Sequence, residues 1–341
     1  KSTRSPNGRL RLRLHRPTAT SHMMKKTLTV FTPTYNRAHT LPRTYESLCR
    51  QTCHDFEWLV VDDGSTDGTD ALAAQWMSEG RIAMRYIRQE NQGMHGAHNT
   101  AYAHISSPLN VCIDSDDMLT DKAVEIILRT WREQADEHTA GLVGLDVDMA
   151  TRQVIGTPFP EGVNRLHMTD YYNRMKGRGD KKYVLRTDLV KKYPPYPLFC
   201  GEKYVNLATL YAFIDIDYTW IVLNEPLAVV DYQVDGSSYS MYRQYWNNPR
   251  GFMYHRVADM QHPRIPLRRK LMAHVHYVSS ALRAREWRFV QRSPMPLVTL
   301  LAFIPGVMLY IYIWSKVRRG ALMHVDHNQH TPHGAHNPSA S

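Results

Sequence analysis

Cysteine is scarce: four copies, Cys49, Cys53, Cys112 and Cys200, occur among 341 residues. They have neither the spacing of a zinc site nor the density of a disulfide scaffold, so stability must come from an ordinary buried core and a reducing cytosol suits the chain. Long apolar sequence is also missing. Leu297 to Trp314 supplies eighteen uncharged residues, which at about 1.5 Å per residue makes roughly 27 Å of helix, near the lower limit for a bilayer span. The beginning of the chain lacks the apolar core of a signal peptide, because the Arg-Leu alternation from Arg9 to Leu14 is too short and too charged. Near the first strand there is no glycine-rich basic loop for phosphate; Pro33-Thr34-Tyr35-Asn36 stands there instead.

Acidic residues are absent from residues 1–26, which carry eight Lys or Arg and contribute +8. Residues 256–319 add another +10, with Asp259 and Glu286 as their only acids, so residues 27–255 sum to about −7. The chain is an acidic body between basic ends. A nucleic-acid partner is disfavoured, since the candidate site lies in the acidic part and no nucleic-acid motif marks the ends. Residues 1–26 read as leader or tag, with Ser21-His22-Met23 resembling a cloning scar. The tail from 321 to 341 reads as disordered, with His324, His327, His330, His333 and His336 recurring among Pro, Gly and Asn.

Between these ends the hydrophobic pattern alternates. Leu28 to Thr32, Phe56 to Val61, Ile82 to Ile87 and Val111 to Ile113 read as short strands, each followed by a polar loop and a helix. Such an order implies an α/β fold with a mainly parallel sheet flanked by helices, and ligands gathered at the carboxyl ends of the strands. Further on, a helix is expected from Lys122 to Trp131, strands near 141–147 and 221–230, and a flexible Tyr- and Gly-rich segment from Tyr171 to Asp180. Glu202 and Lys203 should head a helix running to Phe213, and Asp235-Gly236-Ser237-Ser238 should form a loop.

The strand Val111–Ile113 stops in Asp114-Ser115-Asp116-Asp117. Side chains repeat every second residue along a strand, so Asp114 and Asp116 point the same way. Two like charges so close raise each other's pKa unless a cation sits between them. A hard divalent ion, Mn2+ or Mg2+, holding a substrate phosphate through one or two carboxylates meets that need.

Thr32-Pro33-Thr34-Tyr35-Asn36-Arg37, Val61-Asp62-Asp63-Gly64-Ser65-Thr66-Asp67-Gly68-Thr69, Asn91-Gln92-Gly93 with Ala97 and Asn99, and Asp114-Ser115-Asp116-Asp117 occur in that order. Together they resemble a family 2 glycosyltransferase of the GT-A fold. The resemblance implies an inverting, metal-dependent transfer of a sugar from a nucleotide-diphosphate sugar to an acceptor hydroxyl, in cell-surface polysaccharide or glycolipid synthesis. It implies that Thr34, Tyr35, Asp63, Gly93, Asn99 and Asp114 bind the donor, that Asp114 and Asp116 hold the metal, and that Glu202 is the catalytic base. Lys203 departs from the family's usual Glu-Asp pair, and His98 from an Arg often found before the Asn. On this view residues 27–120 bind the nucleotide sugar and 121–250 the acceptor, a saccharide or lipid-linked saccharide. A nucleotidyltransferase and a non-catalytic nucleotide-sugar-binding protein are the rival readings.

Residues 251–320 form a basic helical extension. An amphipathic helix is expected from Lys270 to Phe289, then Leu297–Trp314 broken in its middle by Pro305-Gly306. Arg292 before it and Lys316, Arg318 and Arg319 after it, with Tyr310, Tyr312 and Trp314 near the exit, suit a helix or helical hairpin lying in an anionic membrane face. The expected location is the cytoplasm, at the inner face of the cell membrane.

Overall fold

The computed structural model describes residues 26–231 and 241–329, with side chains up to residue 319 in the last helix. The leader up to residue 25, the 235–238 loop and residues 330–341 of the histidine-rich tail lie outside the described residues, while residues 321–329, expected to be disordered, are helical. The first part of the chain alternates as its pattern requires: β1 (Leu28–Thr34), α1 (Leu41–Cys49), β2 (Phe56–Asp62), α2 (Thr69–Glu79), β3 (Met84–Arg88), α3 (Met94–His104) and β4 (Leu109–Cys112). There follow β5 (Met118–Leu119), α4 (Ala123–Gln134), β6 (Thr139–Asp148), β7 (Arg165–Leu166), α5 (Met168–Asn173), β8 (Lys181–Arg186), α6 (Thr187–Lys192), α7 (Ala208–Asp217) and β9 (Thr219–Val230). The rest is helical: α8 (Met241–Asn247), α9 (Pro249–Gln261), α10 (Leu267–Ala284), α11 (Phe289–Arg292), α12 (Pro296–Leu301) and α13 (Phe303–Gln329).

One nine-stranded sheet runs in the order β3-β2-β1-β4-β8-β6-β9-β5, with β7 added on β9. The half from β3 to β4 is parallel throughout. Beyond it β8 runs antiparallel to both β4 and β6. Both faces of the sheet are buried. Leu28, Val30, Phe56, Trp58, Leu109 and Val111 pack on one face against α1, α2 and α4, while Phe31, Leu59 and Val61 pack on the other against α3, α6 and α7. Odd and even positions of the same strands thus serve two cores, which is why the strands read as continuous apolar runs rather than alternating ones.

Three expected boundaries move. The helix after Glu202 begins only at Ala208, leaving Glu202 and Lys203 in an irregular segment. The amphipathic helix spans Leu267–Ala284 and ends at Arg285, which adopts the left-handed conformation. The Leu297–Trp314 run breaks at Ala302, between α12 and α13, and not at Pro305-Gly306. Pro305 is the third residue of α13, where its missing N–H costs no helix bond. The Tyr171–Asp180 segment is packed rather than loose: Tyr171 is buried, its hydroxyl donates to the Thr157 carbonyl at 2.6 Å, and Gly177 lies against its ring. Among the described residues no helix is long and apolar enough to cross a membrane.

Candidate functional site

The parallel register sets Thr34 opposite Asp62 and Asp62 opposite Arg88, so the loops after β1, β2 and β3 emerge together. They are stitched to one another. Asn36 accepts the Thr66 N–H at 2.8 Å and donates its own N–H to Ser65 Oγ, while Asp67 accepts the Ala38 N–H at 2.8 Å. A cleft of about 970 Å³ opens above them, lined on this side by Thr34, Tyr35, Arg37 and Asp63 and facing Asp114 and Asp116. The Tyr35 ring is half exposed, and Thr34 Oγ1 is buried without a hydrogen-bond partner. An orphaned hydroxyl beside an exposed ring suits a planar, polar ligand.

Asp62 and Asp63 divide their work. Asp62 is fully buried and closes its own turn, accepting the Ser65 N–H at 2.8 Å and the Tyr86 hydroxyl at 2.5 Å. Asp63 lines the cleft and organises the next loop, accepting from Gln89 Nε2 and from the Gln92 and Gly93 N–H groups, each at 2.8 Å. Burial raises the Asp63 carboxyl, and those three donors pull against it.

The acidic segment follows β4 as a turn closed by the Asp117 N–H on the Asp114 carbonyl, 3.1 Å. Thr44 Oγ1 and an Arg43 guanidinium N–H, both from α1, donate to the Asp117 and Asp116 carbonyls at 2.7 and 3.3 Å, fixing the turn from below. Burial raises the Asp116 carboxyl, and the neighbouring Asp114 adds to it. Asp117 faces away from solvent, accepts the Asp231 N–H at 3.1 Å and is pushed up to about 8 by burial.

What meets these acids from the other side comes from β8. Antiparallel pairing of Val111 with Val184 brings Lys182 beside the turn. Burial opposes the Lys182 charge, but Asp146, Asp117 and Asp114 outweigh it and hold the ammonium protonated. Asp146, at the end of β6, is pushed up to about 6 by burial, with Lys182 pulling against that. Lys181 and Lys182 are therefore the cationic wall of the cleft, placed there by an antiparallel strand that carries Lys next to an acidic turn.

Asp114 and Asp116 suit a hard divalent cation: two carboxylates, a mutual repulsion that a cation relieves, and an open cleft where phosphate oxygens complete the shell. No set of three or more His, Cys, Asp or Glu side chains that could enclose a metal exists among the described residues.

Three expected site residues lie elsewhere. Glu202 does not line the cleft; its oxygens accept the Arg250 and Gly251 N–H groups at 3.1 and 3.0 Å and the Arg250 guanidinium at 3.4 Å, so it caps α9. Asn99 spends its amide on the Tyr196 backbone, at 2.8 and 2.9 Å, pinning that loop to α3. Gly93 works by being small: a Cβ there would sit 2.2 Å from the Lys203 carbonyl oxygen, and its φ of 83° favours glycine. What enters the cleft from this segment is Lys203, whose ammonium bonds the Asn91 carbonyl. His98 is buried edge-on to Phe31 and Tyr102, with centroids at 5.1 and 5.8 Å, and serves the core.

The sheet, its switch to an antiparallel strand after β4 and the cleft above the parallel ends define the GT-A class of α/β fold. Two solved structures share it: S. aureus TarS 1–349, at 17% identity and a TM-score of 0.56 over 86% of this chain and 92% of that one, and the mannosyltransferase PcManGT from Pyrobaculum calidifontis, determined with GDP-Man and Mn2+, at 18% identity and 0.52 over 88% and 85%. Residues 29–181 match the profile of glycosyl transferase family 2. Validoxylamine A glucosyltransferase of Streptomyces hygroscopicus subsp. jinggangensis is 39% identical over 116 residues, 33% of this chain. That match spans 26% of the enzyme's length.

Proposed function

We propose that the protein transfers a sugar from a nucleotide-diphosphate donor to an acceptor hydroxyl. The observation that carries this is the convergence, in one cleft, of Thr34, Tyr35 and Asp63 from the β1 and β2 ends with Asp114 and Asp116 after β4 and Lys182 opposite. The Tyr35 ring offers a flat face for the base, and Thr34 Oγ1 a hydrogen bond now unmade. Asp114 and Asp116 would hold Mn2+ or Mg2+, which supplies positive charge for the departing diphosphate. Lys182 adds a cation that its three acidic neighbours keep charged. Inversion needs a base on the acceptor side. Glu202 stands outside the cleft, so the proton falls to Asp180, the exposed carboxylate of the lining.

A cytoplasmic site at an anionic membrane surface, serving cell-surface glycan synthesis with a lipid-linked acceptor, completes the reading. α12 and α13 expose Leu297, Leu301, Ile304 and Met308 at 79, 82, 73 and 66%. Arg288 and Arg292 precede this apolar face and Lys316, Arg318 and Arg319 follow it, a charge pattern complementary to anionic lipid.

A panel of UDP- and GDP-sugars with manganese tests the activity by release of nucleoside diphosphate. Wild-type protein should turn over at least one donor, and Asp116→Ala should lose the metal-dependent rate by about two orders of magnitude or more. Undiminished metal-dependent turnover in Asp116→Ala would overturn the assignment.

A further inference from the structure

A second cavity of about 640 Å³ opens between α5, α7, α9 and α10, and the donor cleft makes no use of it. The two share Tyr172, Tyr183, Ala208 and Tyr211, so they adjoin across an aromatic partition in which Tyr183 and Tyr211 stack at 4.7 Å.

The far wall is cationic, with Arg256 from α9 and Arg268 and Arg269 from α10. Its acids are already engaged. Asp259 pairs with Arg256 at 3.0 Å and lies 3.7 Å from His255, while the buried Asp215 carboxylate accepts the Met168 and Thr169 N–H groups and Trp220 Nε1 at 2.7, 3.0 and 2.8 Å. Arg256 Nε is buried with no partner. Arg268 and Arg269 are exposed, and no ion pair engages either among the described residues. They occupy the second and third positions of α10, whose N-terminus has no side-chain cap, so the helix dipole adds to their charge. Leu267 and Leu271, exposed at 69 and 46%, flank them on the same helix.

Building on the glycosyl-transfer reading, we propose that this cavity receives the acceptor and that Arg268 and Arg269 bind a phosphate group which the acceptor carries. The phosphate would sit at the mouth, and the sugar to be extended would reach the donor cleft past Tyr183 and Tyr211. A phosphate on a lipid and one on a soluble saccharide present the same chemistry to these arginines; Leu267 and Leu271 distinguish them by contacting a lipid chain only.

The test is a titration at neutral pH with EDTA present, following the ring signals of His255 and His276, which line this cavity alone, by 1H–13C NMR. Inorganic phosphate, farnesyl phosphate and farnesol are the probes. Both phosphates should shift the two histidines saturably and farnesol should not. Tighter binding of farnesyl phosphate assigns the group to a lipid; equal affinities assign it to a soluble acceptor. Arg268→Ala/Arg269→Ala should weaken both by about tenfold, with Arg268→Lys/Arg269→Lys in between and thermal melting unchanged, because two charged hydrogen-bond donors are lost from exposed positions. Histidines unmoved by phosphate, moved equally by farnesol, or moved equally in the double Ala variant would overturn the proposal. Asp116→Ala should leave the titration intact, so failure of the transfer reading and failure of this site are read separately.

Discussion

Glu202 accepts backbone N–H groups from Arg250 and Gly251 at 3.1 and 3.0 Å and is 6% exposed. A general base needs a lone pair within reach of the acceptor hydroxyl. Here both oxygens satisfy the first turn of α9, whose N-cap residue, Asn248, makes no side-chain cap of its own. Glu202→Gln separates the two roles. As a cap it should lose about 1 kcal/mol, lowering the melting temperature by roughly 2–4 °C, with turnover kept within a few-fold. A catalytic base would instead lose about 10²- to 10⁴-fold in kcat with melting unchanged. Parallel melting and steady-state measurements decide the matter.

Helices α10 and α13 pack because Gly306 has no side chain. A Cβ there would lie 2.5 Å from Val278 Cβ and Cγ1 and 3.2 Å from the Val275 carbonyl oxygen. Gly306→Ala should therefore cost about 1–3 kcal/mol as an overpacked contact, against a gain of a few tenths to 1 kcal/mol from helix propensity. Denaturant midpoints read the balance, and a stabilised variant would show that the helices do not meet this closely. The same pair shows why the sequence misplaces the break: Pro and Gly are local signals, whereas Val278 is a partner 28 residues away. Legibility elsewhere follows that division. The parallel half of the sheet and the acidic turn were readable, because strand periodicity and turn chemistry are local. Lys182 beside the acids, Glu202 on α9 and Asn99 on the Tyr196 loop were not, because each depends on a distant segment that tertiary packing brings up. The aromatic residues of α8 are likewise spent on packing: Tyr245 on Phe252 at 4.3 Å and Trp246 on Tyr310 at 5.6 Å.

At the scale of the whole molecule, burial of histidine sets the acid limit. His95, His255 and His276 are each pulled down to about 4 by burial, and His98, His262 and His274 are lowered by the same cause. In the unfolded chain each titrates near the ordinary value of about 6.5. Between pH 4 and 6.5 the unfolded state therefore binds more protons, and stability rises with pH across that window. The histidine contribution is fully present above about 6.5 and is lost as the solution is acidified. Asp117 and Asp146, raised to about 8 and 6, slope the other way, as do Asp63, Asp116 and Asp215, also raised by burial, so the descent is the balance of six histidines against these five carboxyls. Melting temperature in metal-free buffer should fall by at least roughly 5 °C from pH 7 to pH 5. General charge repulsion in a chain of net charge +10 acts in the same direction, so the histidines are isolated by substitution. His255→Gln/His276→Gln should flatten the descent while changing the melting temperature less at pH 5 than at pH 7. A descent of undiminished slope in that variant, or none in the wild type, would remove buried histidine as its cause.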